Sequence, residues 1–256
     1  MVLQGSFPLV KITEVQPGIF DATLSAPQVA AEAQPGQFLH IGAPGFFLRR
    51  PISICGIDHK AGTLRLVFQI RGAGTRALAG AKAGCRWDVL GPVGRGFQLA
   101  GPEEEAVVVG GGIGVPPLLE AARAHRSATA FLGFASKDAV ILEEDFRAAA
   151  QLTITTDDGS YGRKGLCVAP LEEYLAQHTP GVIYACGPSP MLKAVARLAL
   201  QRGIPCQVSL EERMGCGVGA CLGCACAIRT AAGAVVYKRV CADGPVFSAK
   251  EVVFDE

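Results

Sequence analysis

The sequence lacks the features that mark nucleic-acid-binding and membrane proteins. It carries almost no net charge, with 24 Lys and Arg against 23 Asp and Glu in 256 residues, and it has no basic cluster. Without a positive patch a chain gains little attraction from phosphate backbones, so we expect no nucleic-acid partner. The longest apolar stretch, residues 106–119, is shorter than the about 20 residues that cross a bilayer. We therefore expect no membrane partner.

A charged segment followed by an apolar one is also missing from the amino-terminal residues, so we expect no signal peptide and a cytoplasmic protein. No two of the four histidines stand in a catalytic pattern. We expect each of them to be a surface or packing residue: His40, His59, His125 and His178.

Cysteine, in contrast, is abundant, with ten residues. A disulfide framework does not suit a chain of this length without a secretion signal, and clustered intracellular cysteines indicate metal first. Five of the ten lie between Cys216 and Cys241. The others stand alone and are expected to be small buried hydrophobes: Cys55, Cys85, Cys167, Cys186 and Cys206.

The clustered cysteines have the spacing of a plant-type ferredoxin. Cys216, Cys221 and Cys224 follow the pattern C-x4-C-x2-C, and Cys241 comes after a probable hairpin. Glycines between them allow the loop to wrap closely and bring backbone N–H groups to the sulfur atoms. The sequence therefore predicts a [2Fe–2S] cluster held by these four thiolates.

A structural zinc site is the alternative for the same cysteines. Zinc sites favour two C-x2-C pairs, whereas Cys241 stands alone, so the spacing favours the iron–sulfur cluster. Cys226 is a fifth thiol on a probable strand, and we assign it to the core.

Changes in the residue pattern along the chain predict three modules and a fold of mixed β and α/β class. Residues 1–101 read as short strands separated by turns, which indicates an antiparallel barrel. Residues 102–208 alternate apolar strands with helices, including an expected helix over residues 117–125, and predict a Rossmann-like parallel α/β domain. Residues 209–256 are rich in Gly and Cys and form a small cluster domain with a hairpin.

Two motifs in the predicted barrel suit a diphosphate. A guanidinium in Arg49-Arg50-Pro51-Ile52-Ser53 can bind a diphosphate through two hydrogen bonds. The loop Gly72-Ala73-Gly74-Thr75 follows a strand and opens a helix, which is typical of an anion site. A flavin is also expected because the cluster carries one electron and a nicotinamide carries two. A flavin can exchange electrons with both. The alternative is an edge strand with two solvated arginines.

A nicotinamide site is predicted where the apolar strands of the second module end. Gly110–Gly114 and Cys186-Gly187-Pro188 each follow such a strand, as does Asp157-Asp158. Ligands bind beyond the carboxyl ends of parallel strands, and two carboxylates there disfavour a 2′-phosphate, so we favour NAD over NADP. A tight turn without ligand and an ordinary acidic turn remain the alternatives. The candidate residues are Gly111, Gly112, Gly114, Asp158, Cys186, Gly187 and Pro188.

The order of these motifs resembles the ferredoxin-reductase-like flavoproteins. The resemblance narrows to the electron-transfer subunits of type B dihydroorotate dehydrogenase through three carboxyl-terminal segments: Glu211–Met214, Tyr237–Cys241 and Asp243–Phe247. It implies the four cysteine ligands named above. It also implies FAD contacts from Arg50, Pro51, Ile52, Ser53, Val67, Phe68, Gln69, Gly74 and Thr75.

The resemblance further implies a partner and a pathway. The partner would be an FMN-containing catalytic subunit that oxidises dihydroorotate to orotate in pyrimidine biosynthesis, in a heterotetramer of two copies of each chain. Electrons would pass between this FMN and NAD(H). The runner-up is the small subunit of an NAD(P)H:ferredoxin oxidoreductase with the same modules. A rival from another class is a redox-sensing or zinc-stabilised binding module without turnover.

Overall fold

The computed structural model describes residues 2–254 and opens with a closed six-stranded barrel. All neighbouring strands are antiparallel, in the order β1-β2-β5-β4-β3-β6, and β1 pairs with β6 to close the barrel. Its elements are β1 (Leu3–Gln16), β2 (Ile19–Ser25), α1 (Pro27–Glu32), β3 (Phe38–Ile41), β4 (Arg50–Asp58), β5 (Thr63–Gln69), α2 (Ala73–Ala79) and β6 (Arg86–Val93).

The barrel strands bury one face inside the barrel and present the other to the rest of the molecule. On β3, Leu39 and Ile41 belong to the barrel core. Because successive side chains of a strand point to opposite faces, Phe38 and His40 lie on the outer face. Both are nevertheless buried. The outer face of β3 is therefore covered by another part of the chain.

The second module is a twisted sheet with helices on both faces. Its strand order is β10-β9-β8-β7-β11-β12-β15, where β15 (Val246–Ser248) comes from the third module, and it is parallel from β10 to β12. Three short 3₁₀ turns cover residues 112–114, 116–118 and 137–139. The elements are β7 (Ala106–Gly111), α3 (Leu119–Arg123), β8 (Ala128–Phe134), α4 (Glu143–Ala149), β9 (Gln151–Thr156), β10 (Arg163–Lys164), α5 (Val168–Leu175), β11 (Val182–Cys186), α6 (Ser189–Gln201) and β12 (Cys206–Ser209).

The central strand β7 is buried on both faces, as its apolar sequence predicts. Val108 packs with α3 and α4, whereas Val107 and Val109 pack with α5 and α6. The chain runs from β7 to β8 and β9 on one side and then returns to β11 on the other side of β7. The strand order reverses between β7 and β11, and such a switch point is where open α/β sheets bind ligands.

The predicted helix over residues 117–125 forms only in part. Pro116 and Pro117 begin a 3₁₀ turn, and the α-helix proper is α3, from Leu119 to Arg123. Proline has no backbone N–H to donate, so this short segment starts as a tight turn. Among residues 2–254, no helix is long and apolar enough to cross a membrane.

The third module consists of a long loop and a hairpin, followed by a strand that joins the sheet of the second module. The hairpin pairs β13 (Ala225–Arg229) with β14 (Val235–Arg239), and Gly233 turns it at φ +84°. β15 (Val246–Ser248) then pairs antiparallel with β12. The sequence did not indicate this pairing. The domain boundaries at residues 101 and 208 stay a prediction.

An ion-pair network connects the first two modules. Arg65 on β5 pairs with Asp21 on β2 and with Asp145 on α4, at 2.8 Å in both cases. Since Asp145 belongs to the α/β module, the arginine holds the barrel and the sheet together.

Candidate functional site

A cleft opens where the barrel, the α/β sheet and the third module meet. Residues of β4 and β5 form one wall, and Cys186 and Ser209 come from the ends of β11 and β12. Met214, Val240 and Pro245 come from the third module. Every predicted flavin-contacting residue except Gly74 lines this cleft: Arg50, Pro51, Ile52, Ser53, Val67, Phe68, Gln69 and Thr75.

Gly74 lies directly beneath the Arg50 side chain. A Cβ atom at Gly74 would approach the Arg50 guanidinium to 2.0 Å. Arg50 also donates to the backbone oxygens of Leu48 and Arg49, and its guanidinium lies 5.1 Å from the ring centre of Phe46. The two weak diphosphate motifs of the sequence are thus in contact.

Arg49 points elsewhere, which distinguishes the two adjacent arginines. Its guanidinium pairs with the Asp88 carboxylate at 2.5 Å and donates to the Asp88 backbone oxygen at 3.0 Å. Arg49 does not line the cleft. Of the two adjacent arginines, Arg50 is therefore the one that can meet an anion in the cleft, where Arg71 also lies.

The loop before α2 is already closed by its own hydrogen bonds. The Thr75 hydroxyl accepts from the backbone N–H groups of Arg71, at 2.9 Å, and Gly72, at 3.2 Å. It donates in turn to the Gly72 oxygen. These hydrogen bonds fix the shape of the loop beside Arg50.

A second groove adjoins the cleft at the switch point of the sheet. Gly111, Gly112, Gly114, Gly187 and Pro188 all line it. Gly114 has no room for a side chain, because a Cβ atom would lie 2.6 Å from Gly187 and from the backbone oxygen of Cys186. The two strand-end loops thus pack backbone to backbone.

Cys186 and Asp158 occupy different positions from the other nicotinamide candidates. Cys186 lines the flavin cleft rather than the groove, and burial raises the pKa of its thiol. Asp158 lies outside both, in an exposed turn, where its carboxylate accepts from Ser160 N at 2.9 Å and Ser160 Oγ at 2.7 Å. These hydrogen bonds lower the pKa of Asp158. Its part in choosing NAD over NADP stays a prediction.

The four predicted metal ligands lie close enough to influence one another. The Cys221 side chain lowers the pKa of Cys216, and burial, with Cys224 and Cys216 nearby, raises the pKa of Cys241 to about 12. Within residues 2–254, no three His, Cys, Asp or Glu side chains converge on a position for one metal ion. Two thiolates for each of two irons is the ligand set of a [2Fe–2S] cluster, whereas zinc needs its ligands around one point.

Backbone N–H groups of the cysteine loop point at the sulfur atoms. Val218 and Cys221 donate to Cys216 Sγ at 3.5 and 3.4 Å, and Gly219 donates to Cys241 Sγ at 3.2 Å. Although burial opposes it, these donors lower the pKa of Cys216 to about 6. Such donors stabilise thiolate charge, so the loop fits an iron–sulfur cluster.

The loop is held in this shape by glycine and by an arginine. Gly217 and Gly219 have φ values of +70° and +77°, which side-chain-bearing residues rarely adopt. Arg239 donates to the Gly219 oxygen at 2.6 Å and is itself paired with Asp243 at 3.2 Å. Arg239 therefore braces the loop from the end of the hairpin.

The remaining cysteines are core residues in most cases. Cys226 is buried and donates to the Lys238 oxygen at 3.4 Å, and burial raises its pKa to about 11. Among the cysteines that stand alone in the sequence, Cys85 is half-buried. The other four are buried: Cys55, Cys167, Cys186 and Cys206.

His40 is the residue of this region that sequence reasoning missed. Its side chain is completely buried, and neither ring nitrogen has a hydrogen-bond partner among the residues that the structure describes. Burial and the nearby Arg49 charge lower its pKa to about 4. In sequence, His40 is one residue of a short apolar strand, and nothing there indicated its position beside the cysteine loop.

Comparison with known proteins agrees with this geometry. A family described as the iron-sulfur cluster binding domain of dihydroorotate dehydrogenase B matches residues 211–253. The electron transfer subunit of dihydroorotate dehydrogenase B (NAD(+)) from Geobacillus thermodenitrificans is 49% identical over 91% of this chain and 92% of its own. The subunit of the same name from Streptococcus mutans is 42% identical over the full length of both chains.

Among solved structures, an NADH-dependent reduced ferredoxin-NADP oxidoreductase studied for flavin-based electron bifurcation superposes with a TM-score of 0.87. It is 30% identical and covers 97% of this chain and 90% of that one. The barrel, the α/β sheet and the clustered thiols define an iron–sulfur flavoprotein oxidoreductase of the ferredoxin-reductase fold. The chain belongs to the electron-transfer subunits of dihydroorotate dehydrogenase B. The predicted fold class, family and electron-transfer function are confirmed, and the ferredoxin oxidoreductase alternative is not favoured.

Proposed function

We propose that this chain carries electrons between the FMN of a catalytic dihydroorotate dehydrogenase subunit and NAD⁺, through its [2Fe–2S] cluster and FAD. The reaction belongs to the oxidation of dihydroorotate to orotate in the cytoplasm. The assembly is a heterotetramer with two copies of each chain. The curated relatives support this proposal, because they are named as NAD(+)-dependent electron transfer subunits over nearly the whole length of the chain.

The observation that carries the proposal is the order of the three candidate sites. The glycine groove and the flavin cleft share a wall formed by Arg71, Ile113 and Glu211. On its other side, the cleft is bounded by Phe38 and Val240, which pack in one core with Cys224 and Cys241. The cleft thus borders the groove on one side and the core around the cysteine loop on the other, which supports electron passage between them through FAD.

The chain's own groups provide binding and position. Arg50 neutralises the FAD diphosphate above Gly74, where no side chain intervenes. The bare backbone at Gly112 and Gly114 lets a dinucleotide approach the switch point closely. When bound, FAD exchanges a hydride with the nicotinamide and single electrons with the cluster.

The cysteine loop also offers a contact surface for the catalytic subunit. Cys224 and Cys241 are buried, whereas Val218 and Leu222, in the same loop, are 54% and 76% exposed. Exposed apolar side chains beside a redox centre favour docking of another protein there. This supports the cluster as the exit toward the FMN.

The test is co-expression with a candidate catalytic subunit, followed by native mass analysis and an anaerobic assay. We expect a complex of two copies of each chain that forms NADH when dihydroorotate is added. A chain that forms no complex but reduces ferredoxin with NADH would contradict the proposal. That outcome would support the ferredoxin oxidoreductase alternative.

A further inference from the structure

The His40 imidazole lies between the flavin strand and the cysteine loop. In the pairing of β3 with β4, His40 is directly opposite Pro51, so the two side chains are on the same outer face. Pro51 lines the flavin cleft. On the other side, a Cβ atom at Gly217 would lie 2.4 Å from His40 Nδ1. The ring therefore touches the backbone next to Cys216.

This imidazole is polar and fully enclosed. It is 0% exposed, and within residues 2–254 neither nitrogen has a partner in hydrogen-bonding geometry, although the Arg49 backbone is near enough to oppose the fall in its pKa. A neutral imidazole always carries one N–H donor, and leaving a buried donor unpaired costs free energy. Packing alone would be served better by Leu or Phe. The orphan donor indicates that something outside the polypeptide accepts its hydrogen bond.

The ring touches the cysteine loop at Gly217, and the acceptor that this loop would hold is the cluster. Gly217 connects Cys216 to Val218, in the loop whose N–H groups already point at the Cys216 and Cys241 sulfur atoms. Thiolate and sulfide atoms of an iron–sulfur cluster accept such hydrogen bonds, and each one stabilises the more negative, reduced form.

We propose that His40 donates a hydrogen bond to a sulfur atom on the Cys216 side of the [2Fe–2S] cluster and raises its reduction potential. The inference rests on the proposed assignment of the cluster to the four cysteines. His40 would then be a positioning residue that sets the reduction potential of the cluster, which accepts electrons from the flavin. No proton is transferred and no bond is formed or broken.

The experiment uses the full chain with FAD and cluster bound, in three variants. H40L removes the N–H, H40Q keeps a donor, and I41V changes the next position of the same strand, inside the barrel core and away from the cleft. The potentials of the cluster and of FAD are measured separately by redox titration with EPR and visible absorbance. For H40L we expect the ratio of reduced to oxidised cluster at fixed potential to fall about tenfold, equal to about 59 mV for one electron.

H40Q should recover most of this change, and I41V should show none of it. The FAD potential should stay constant throughout. An unchanged cluster potential in H40L would overturn the inference, as would equal shifts in H40L and H40Q, which report repacking. A shift of the FAD potential alone would overturn it too and assign the donor to the flavin.

A measurement on the unmutated chain keeps the inference testable if H40L does not fold. With histidine labelled by nitrogen-15, pulsed EPR of the reduced cluster should detect a coupled imidazole nitrogen. Its absence would overturn the inference. Other results would contradict the proposed function itself. These are an unmutated chain that binds no iron and sulfide, or a cluster that NADH does not reduce.

Discussion

The guanidinium of Arg50 covers Gly74, so that a Cβ atom on the glycine would lie 2.0 Å from Arg50 Nε. The two residues belong to β4 and α2, and each motif alone is weak evidence for a diphosphate site. Because they are in contact, the two motifs form a single candidate site, which can be tested by mutating either residue.

Arg50→Ala removes one of the two arginines that line the cleft, the one in contact with Gly74, and leaves Arg71 in place. A charge-assisted hydrogen bond contributes roughly 1.5–3 kcal/mol, so we expect FAD to dissociate about ten- to a hundredfold more readily. Equilibrium dialysis with FAD absorbance measures the change. Arg49→Ala is the matched control, because Arg49 pairs with Asp88 outside the cleft. Equal FAD retention in the two variants would refute the assignment.

Gly74→Ala should weaken FAD binding without removing any polar group. The new methyl group displaces Arg50 from its position, while the adjacent Gly72 has no atom within 4 Å of its Cβ direction. Gly72→Ala should therefore bind FAD normally. Isothermal titration of both apoproteins with FAD measures the two affinities. The prediction is wrong if Gly74→Ala binds FAD as tightly as Gly72→Ala.

Cys221→Ser should abolish the cluster, and Cys226→Ser should keep it. The Cys221 side chain lowers the pKa of Cys216, whereas Cys226 donates to the Lys238 oxygen in the core. Purified anaerobically, the unmutated chain should contain about two iron and two acid-labile sulfide. Stoichiometric zinc without iron would show that the rival zinc site is correct.

Gly114→Ala should impair the use of NADH while leaving FAD and cluster spectra unchanged. The methyl group would push the Gly110–Gly114 loop away from Gly187, which lies 2.6 Å from it. We expect KM for NADH to rise about tenfold or more in reduction of an artificial dye. Gly80→Ala, with no Cβ contact closer than 3.7 Å, is the control. A normal KM in Gly114→Ala would argue against nicotinamide binding at the switch point.

The electron path predicts a split phenotype for Cys221→Ser. If this variant folds and keeps FAD, it should still reduce a small dye with NADH, since hydride transfer needs only nicotinamide and flavin in contact. It should fail to reduce the FMN of the catalytic subunit, measured by stopped-flow absorbance. FMN reduction at the normal rate would show that the cluster is not in the path.

The ligand set and the main strands could be predicted because their signals are local. The spacing of Cys216, Cys221 and Cys224 reflects how a short loop wraps a compact cluster, and the apolar run in β7 reflects a strand covered on both faces. Both depend on near neighbours in sequence.

What could not be predicted depends on contacts between distant segments. His40 meets Gly217 only after β3 is covered by the third module, and nothing near His40 in sequence encodes that. The pairing of β12 with β15 joins two short strands that carry no distinctive pattern. Asp158 follows a strand as expected, yet it lies in a turn outside the groove.

The pairing of β15 with β12 bears on protein engineering. Redox domains are attractive as interchangeable cassettes, but this one cannot be cut out cleanly. Truncation at residue 209 would remove β15 and make β12 the edge of the sheet, and an uncovered edge strand invites association between chains. It would also bare Phe38 and His40 on the outer face of β3. A graft of this cluster onto another reductase must therefore bring a matching edge strand and barrel wall with it.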